Sequence, residues 1–194
     1  MADQKHRLRK VMRECREALP PEQARALSRS IQARALCLRC YREAAAVLLY
    51  AAVGNEVATD LIFSDARAAR RRVFFPVADP AARRLEFRAV AALDELHKGS
   101  FGIPQPRSGT PFREEPGMAA VVFVPALAFS VSGQRLGRGG GFYDRFLDST
   151  VSGITAVGLG YSFQVLETLP QERWDRQLAC VVTEHAVHGA DCPR

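Results

Sequence analysis

At 194 residues, 47% hydrophobic and 25% charged, the chain is long enough to bury its own core and of a length that suits one domain. Its longest apolar runs, "AAAVLLYAAVG" from Ala44 and "AAVVFVPALAF" from Ala119, are well short of the ~20 residues a membrane helix needs, which excludes a spanning helix. The net charge of +6 is uneven, with eleven Lys and Arg against four Asp and Glu in residues 1–42; yet 24 of the 27 bases are arginines spread along the whole chain, a compositional bias, so no nucleic-acid partner is expected.

In chain order, Leu8, Val11, Met12, Cys15 and Leu19 fall at helical spacing, with Lys5, Arg7, Arg9, Lys10, Arg13 and Arg16 mostly off that stripe. This predicts an amphipathic helix that stops at Pro20-Pro21. The same stretch has no continuous apolar core followed by a small-residue cleavage site, so no signal peptide is read and the cytoplasm is the expected compartment. A second helix is predicted from Pro21 to about Arg39, marked by Leu27, Ile31, Ala35 and Leu38. Together they make residues 1–40 a basic helical segment packed on one domain spanning 1–194. Cys37 and Cys40 form a single CxxC with no second pair, and a spacing of three is also one helix face. Five cysteines, an odd number spread widely, read as reduced thiols.

"AAAVLLYAAV" reads as a buried strand, and "EVATDLIFSDARAAR" resumes helical spacing through Val57, Leu61 and Ile62. "RRVFFPV", "RRLEFRAV", "AVVFVP", "ITAVGLGY" and "LACVVT" read as further strands. Short apolar strands between helical stretches predict an α/β fold with a largely parallel sheet covered on both faces. Residues 97–117, rich in proline and glycine, read as a long surface loop. His185 and His188 lie near the C-terminus without a ligand cluster and read as part of a solvated tail.

The densest signal is "RLGRGGGFYDRFL", residues 135–147, with four glycines, three arginines and an aspartate. Phe142, Tyr143, Phe146 and Leu147 fall at helical spacing, so the glycines open a helix, where free N–H groups and the helix dipole favour an anion. The string is neither a Walker A loop nor a GxGxxG, and on its glycines alone a flexible turn and a phosphate site stand equal. Arg135 and Arg138 favour phosphate, because guanidinium pairs bidentately with its oxygens. Asp144 has two readings, a carrier of Mg²⁺ bridging nucleotide phosphates or a first-turn acid stabilised by the dipole. Phe87 and Tyr143 are candidates to stack on a bound ring, and Glu56 follows a predicted strand's carboxyl end, where α/β sheets bind ligands. No Ser/His/Asp constellation appears. Taken alone, the loop also suits another ATP-using ligase or kinase, or a nucleotide-binding module without catalysis.

"VVFVPALAFSVSGQRLGRGGGFYDRFL" resembles the signature of the 5-formyltetrahydrofolate cyclo-ligase family, whose members are also called 5,10-methenyltetrahydrofolate synthetases. "KHRLR", "LLYAAVGNEVATDLI", "FFPV", "RRLEFRAV", "GIPQP", "GLGYSFQ" and "LPQERWDRQLACVVTE" follow in the family's order, so the resemblance covers nearly the whole chain. It implies a single-domain, Rossmann-like three-layer α/β/α sandwich, and an ATP- and Mg²⁺-dependent cyclisation of 5-formyltetrahydrofolate to 5,10-methenyltetrahydrofolate with release of ADP and phosphate. The phosphoryl group would activate the formyl oxygen, and N10 would then attack. The resemblance also implies that Lys5, Arg9, Arg135, Leu136, Gly137, Arg138, Gly139, Gly140, Gly141, Phe142 and Tyr143 hold ATP, that Asp144 and Asp175 hold Mg²⁺, and that Glu56 contacts the folate. Arg138 and Asp144 are the expected catalytic residues; the expected partner is the folate alone, with the chain a monomer. Ser130, Gln105 and Phe142 depart from the family's usual acid, glutamate and tyrosine, which bears on folate contacts rather than on the phosphate loop.

Overall fold

The computed structural model describes residues 2–150 and 153–189. The described residues form five α-helices, α1 (Ala2–Glu17), α2 (Pro21–Leu36), α3 (Arg39–Glu43), α4 (Asp60–Ala68) and α5 (Phe142–Ser149). The first six strands are β1 (Ala46–Leu48), β2 (Arg72–Asp79), β3 (Arg84–Ala89), β4 (Leu96–Lys98), β5 (Pro104–Pro106) and β6 (Ala120–Val124). β7 (Ala128–Ser130), β8 (Arg135–Leu136), β9 (Ile154–Leu159), β10 (Val165–Leu166), β11 (Cys180–Val182) and β12 (Val187–His188) follow.

The apolar runs become the middle of a seven-stranded sheet in the order β12-β11-β9-β6-β1-β2-β3. The four inner pairings are parallel, and the edge strands β3 and β12 run antiparallel to their neighbours. Period-two alternation divides each run between two cores. Val121 and Phe123 face the side where Ile31, Tyr41 and Ile62 pack from α2, α3 and α4, with Leu38 from the turn between α2 and α3. Val122 and Val124 face the side where Phe146 and Leu147 of α5 and Phe129 pack. The result is the predicted single-domain α/β sandwich with a mostly parallel sheet. A smaller sheet, β10-β7-β8, carries α1, whose Met12 and Leu8 pack on Leu127 and Leu136. None of the described helices is long and apolar enough to cross a membrane.

Several local expectations are corrected. The second predicted helix ends at Leu36, and Arg39–Glu43 forms a separate turn of helix, so Cys37 and Cys40 do not share a face. No disulfide joins the described cysteines, and Cys192 lies outside the described residues. β1 stops at Leu48 because Tyr50 turns into a loop, its hydroxyl donating to Val57 O and its carbonyl accepting from Thr59. Helix α4 therefore starts at Asp60, where buried Gln32 accepts from the N–H groups of Leu61 and Ile62. The 97–117 stretch is not a plain loop: β4 and β5 pair antiparallel across it, pinned to β2 where Ala78 N donates to Gln105 Oε1. His188 is no tail residue, since β12 pairs it with Val181.

Gly158, mid-strand in β9, is forced by packing: an added Cβ would lie 2.6 Å from Phe129 Cε1 and 2.9 Å from Leu178 Cδ1. Gly158→Ala is expected to cost about 1–3 kcal/mol of stability through overpacking. A urea midpoint equal to the wild type's would show that these rings yield instead.

Candidate functional site

Helix α1 places its cations where the sequence stripe did not. Lys5, Met12 and Arg16 are buried while Val11 and Cys15 are exposed, so the inward face runs Lys5, Arg9, Met12, Arg16 at spacings of four, three and four. Each of these cations meets a different partner. Lys5 Nζ donates to Glu172 and Asp175, both at 2.7 Å; Arg9 Nε donates to Gly137 O at 3.0 Å; Arg16 lies 3.5 Å from Glu56.

A cleft of about 610 Å³ opens between α1, the glycine loop, the start of α5 and the 172–176 segment. Of the sequence-predicted residues, Lys5, Arg9, Arg135, Leu136, Gly137, Gly139, Gly140, Gly141, Asp144 and Asp175 line it. Its lining side chains are cationic in excess, with Arg83, Arg145, Arg173 and Arg176 adding to those named. Gly141, at φ +65°, is the residue preceding α5, and Gly139 has φ +105°, a region L side chains rarely adopt. Those two conformations turn the loop so that its backbone borders the space at the helix N-terminus.

Arg135 is the anchor of the loop. Its side chain is 3% exposed, pairing with Asp144 at 2.7 Å and donating to Arg176 O. Burial pulls its pKa below the ordinary arginine value, against the opposing pull of Asp144. Burial likewise pushes the Lys5 ammonium down, but hydrogen bonds and charge from Asp175 and Glu172 outweigh it and hold its pKa above the lysine norm. The bonds to Asp144 fall on Oδ1 and those to Asp175 on Oδ2, which leaves the other oxygen of each carboxylate for a cation.

The remaining predicted residues gather elsewhere. Arg138 turns away from the cleft to pair with Glu56 at 2.7 Å. Glu56, 8% exposed, sits in the loop after β1, between Arg138 and the buried Arg16, and accepts from Val53 N. Arg138 therefore links the glycine loop to a second, polar cluster at the carboxyl ends of the parallel strands. Phe87 is a core residue, 2% exposed and packed against Phe146 and Tyr143, so its expected stacking face is already covered. Tyr143 packs on that core from α5, within electrostatic reach of Glu56. Phe142 meets Phe101 edge-on at 5.8 Å, outside the cleft lining. Ser130 is buried, its hydroxyl within 2.9 Å of that of Ser132 in the β7–β8 turn, and Gln105 is held in the β4–β5 hairpin; neither departure lies in the cleft.

Sequence reasoning missed Arg16, Glu172 and Trp174. The cation spacing along α1 carried the signal for Arg16. Trp174, 63% exposed on the cleft lining, sits directly before Asp175 but has no sequence neighbours that mark it.

The 5-formyltetrahydrofolate cyclo-ligase family model matches residues 1–184. The chain is 32% identical to the 5-formyltetrahydrofolate cyclo-ligase of Escherichia coli K12 over 179 residues, covering 91% of this chain and 98% of that protein. It is 30% identical to the Haemophilus influenzae enzyme of that name over 177 residues, covering 88% and 92%. The NMR structure of Aquifex aeolicus 5,10-methenyltetrahydrofolate synthetase superposes with a TM-score of 0.82 at 32% identity, covering 98% of this chain and 94% of that one. With the loop, the cleft and these full-length similarities in agreement, the chain belongs to the 5-formyltetrahydrofolate cyclo-ligase family and is a ligase of folate metabolism.

Proposed function

We propose that the cleft binds ATP with Mg²⁺, that the Glu56 cluster binds 5-formyltetrahydrofolate, and that the chain closes the 5,10-methenyl ring with release of ADP and phosphate. The single observation that carries this reading is Arg138, which reaches from the glycine loop to Glu56 and so spans the two halves. Bound ATP with Mg²⁺ supplies the phosphoryl group that turns the formyl oxygen into a leaving group.

The protein's task is positioning and charge neutralisation, since phosphoryl transfer needs no covalent nucleophile. Lys5, Arg9 and Arg135 sit where phosphate charge would lie, and the loop backbone at Gly139–Gly141 approaches without a Cβ in the way. No group of three or more His, Cys, Asp or Glu side chains converges among the described residues. A Mg²⁺ ion would accordingly be shared between Asp144, Asp175, water and phosphate oxygens, the arrangement a reluctantly dehydrated cation favours. Arg138 is half exposed and would exchange Glu56 for a phosphate oxygen, which would free the carboxylate for the folate.

The test mixes protein, 5-formyltetrahydrofolate, ATP and Mg²⁺ and follows the near-ultraviolet absorbance of the methenyl product beside ADP release. Product in step with ADP, absent without ATP or after chelation, is expected. Folded protein that releases no ADP with the folate present would end the proposal.

A further inference from the structure

Tyr50, Tyr143 and Tyr161 each lie within electrostatic reach of Glu56, and Tyr50 and Tyr161 also within reach of Arg16. The Tyr50 hydroxyl is committed to Val57 O at 2.7 Å. Tyr161 differs. It follows β9 at the strand's carboxyl end, and its backbone N–H donates to the buried Gln164, which itself donates to Ala126 O and Leu127 O. Its ring stacks on Phe163 at 5.6 Å and 11°, and the side chain is fully buried. So fixed, its hydroxyl has no hydrogen-bond partner among the described residues, the single buried side-chain polar atom in that position.

A hydroxyl held in a core without a partner is costly, and native interiors seldom keep one. Burial pushes its pKa up to about 12, against Arg16 and with Glu184 and Glu56, so it keeps its proton at neutral pH and can donate. The electrostatic neighbours Arg16, Glu56 and Glu184 do not line the phosphate cleft. Whatever Tyr161 meets therefore lies outside the phosphate cleft, on the side of the Glu56 cluster.

The pteridine ring of a reduced folate presents a carbonyl oxygen beside an N–H and an amino group. That edge is an acceptor next to two donors. A carboxylate takes two donors side by side, and a phenol or guanidinium serves the acceptor. We propose that Tyr161 is a specificity-determining residue whose hydroxyl, beside the Arg16 guanidinium, donates to the pteridine carbonyl while Glu56 accepts from the neighbouring N–H and amino groups. The assignment rests on the folate reading of the Glu56 cluster.

Tyr161→Phe tests it. The KM for 5-formyltetrahydrofolate is expected to rise roughly five- to twentyfold, as for loss of one buried hydrogen bond, with kcat within about twofold and the KM for ATP unchanged. Calorimetric affinity for 5-methyltetrahydrofolate, which keeps the ring carbonyl but lacks the formyl oxygen, should weaken in the same proportion without ATP present. Unchanged affinity for both folates with a raised melting temperature would overturn the assignment, the hydroxyl then being a packing defect that phenylalanine repairs. A fall in kcat with unchanged folate affinity would overturn it equally. Wild-type protein that binds neither folate overturns the folate reading and the assignment together, whereas wild-type binding that Tyr161→Phe leaves intact overturns the assignment alone.

Discussion

Asp144→Asn is expected to lower the rate of methenyl formation by about 10²–10⁴-fold while leaving a folded protein. The substitution keeps the shape and one carbonyl oxygen, so the side chain still accepts from Arg135 and from Arg176 N, the contacts that hold α5 against the 176 segment. What is lost is the negative charge. On the proposed reading a divalent cation then has one carboxylate fewer, and the buried guanidinium of Arg135 loses its ion partner. The second effect costs about 1–3 kcal/mol, a drop of a few degrees in melting temperature for a chain of this size. Initial rates across a Mg²⁺ titration separate the two effects. A variant that regains the wild-type rate at high Mg²⁺ would show that Asp144 tunes affinity only; one that retains it throughout would remove Asp144 from the cation site.

Arg138→Ala should be nearly as severe in rate and far milder in stability. The side chain is half exposed, and Glu56 keeps the buried Arg16 as a partner when it is removed, so folding loses little. On the proposed reading the same guanidinium meets charge developing between the two halves of the site, and removing it should then lower kcat by about 10²–10³-fold. Arg138→Lys should recover only part of this, because an ammonium cannot form the planar two-point contact. Steady-state constants unchanged in the alanine variant would show that Arg138 only shields Glu56 in the resting enzyme.

The fold was legible where a pattern repeats within a few residues. "AVVFVP" alternates between two cores and became the central strand β6, and Phe142 to Leu147 kept helical spacing in α5. Much of the cleft was legible for the same reason, since about half of its lining residues lie in one thirteen-residue string whose glycines carry the geometry. What stayed hidden depends on partners far away in sequence. Arg16 shows its spacing from Lys5 and Arg9 in the sequence, but its burial comes from Glu56 and Ala126, 40 and 110 residues on. Phe87 has the composition of a stacking residue, and only the arrival of α5 on β3 buries it. His188 joins the sheet by pairing with β11, a gain no local propensity of "AVHG" announces. The 97–117 stretch folds back as a hairpin because β2 offers it an anchor at Ala78.

Lys5 meets Glu172 and Asp175, partners 167 and 170 residues away along the chain. One wall of the cleft is therefore synthesised well before the wall that opposes it. A nascent chain that has emerged as far as the glycine loop already holds Lys5, Arg9 and Arg135 but lacks Glu172 and Asp175, the partners of Lys5, and contacts closing so long a loop form late. A cleft with both walls thus appears only once the 172–176 segment has left the ribosome, and products of premature termination carry the loop without its opposing wall.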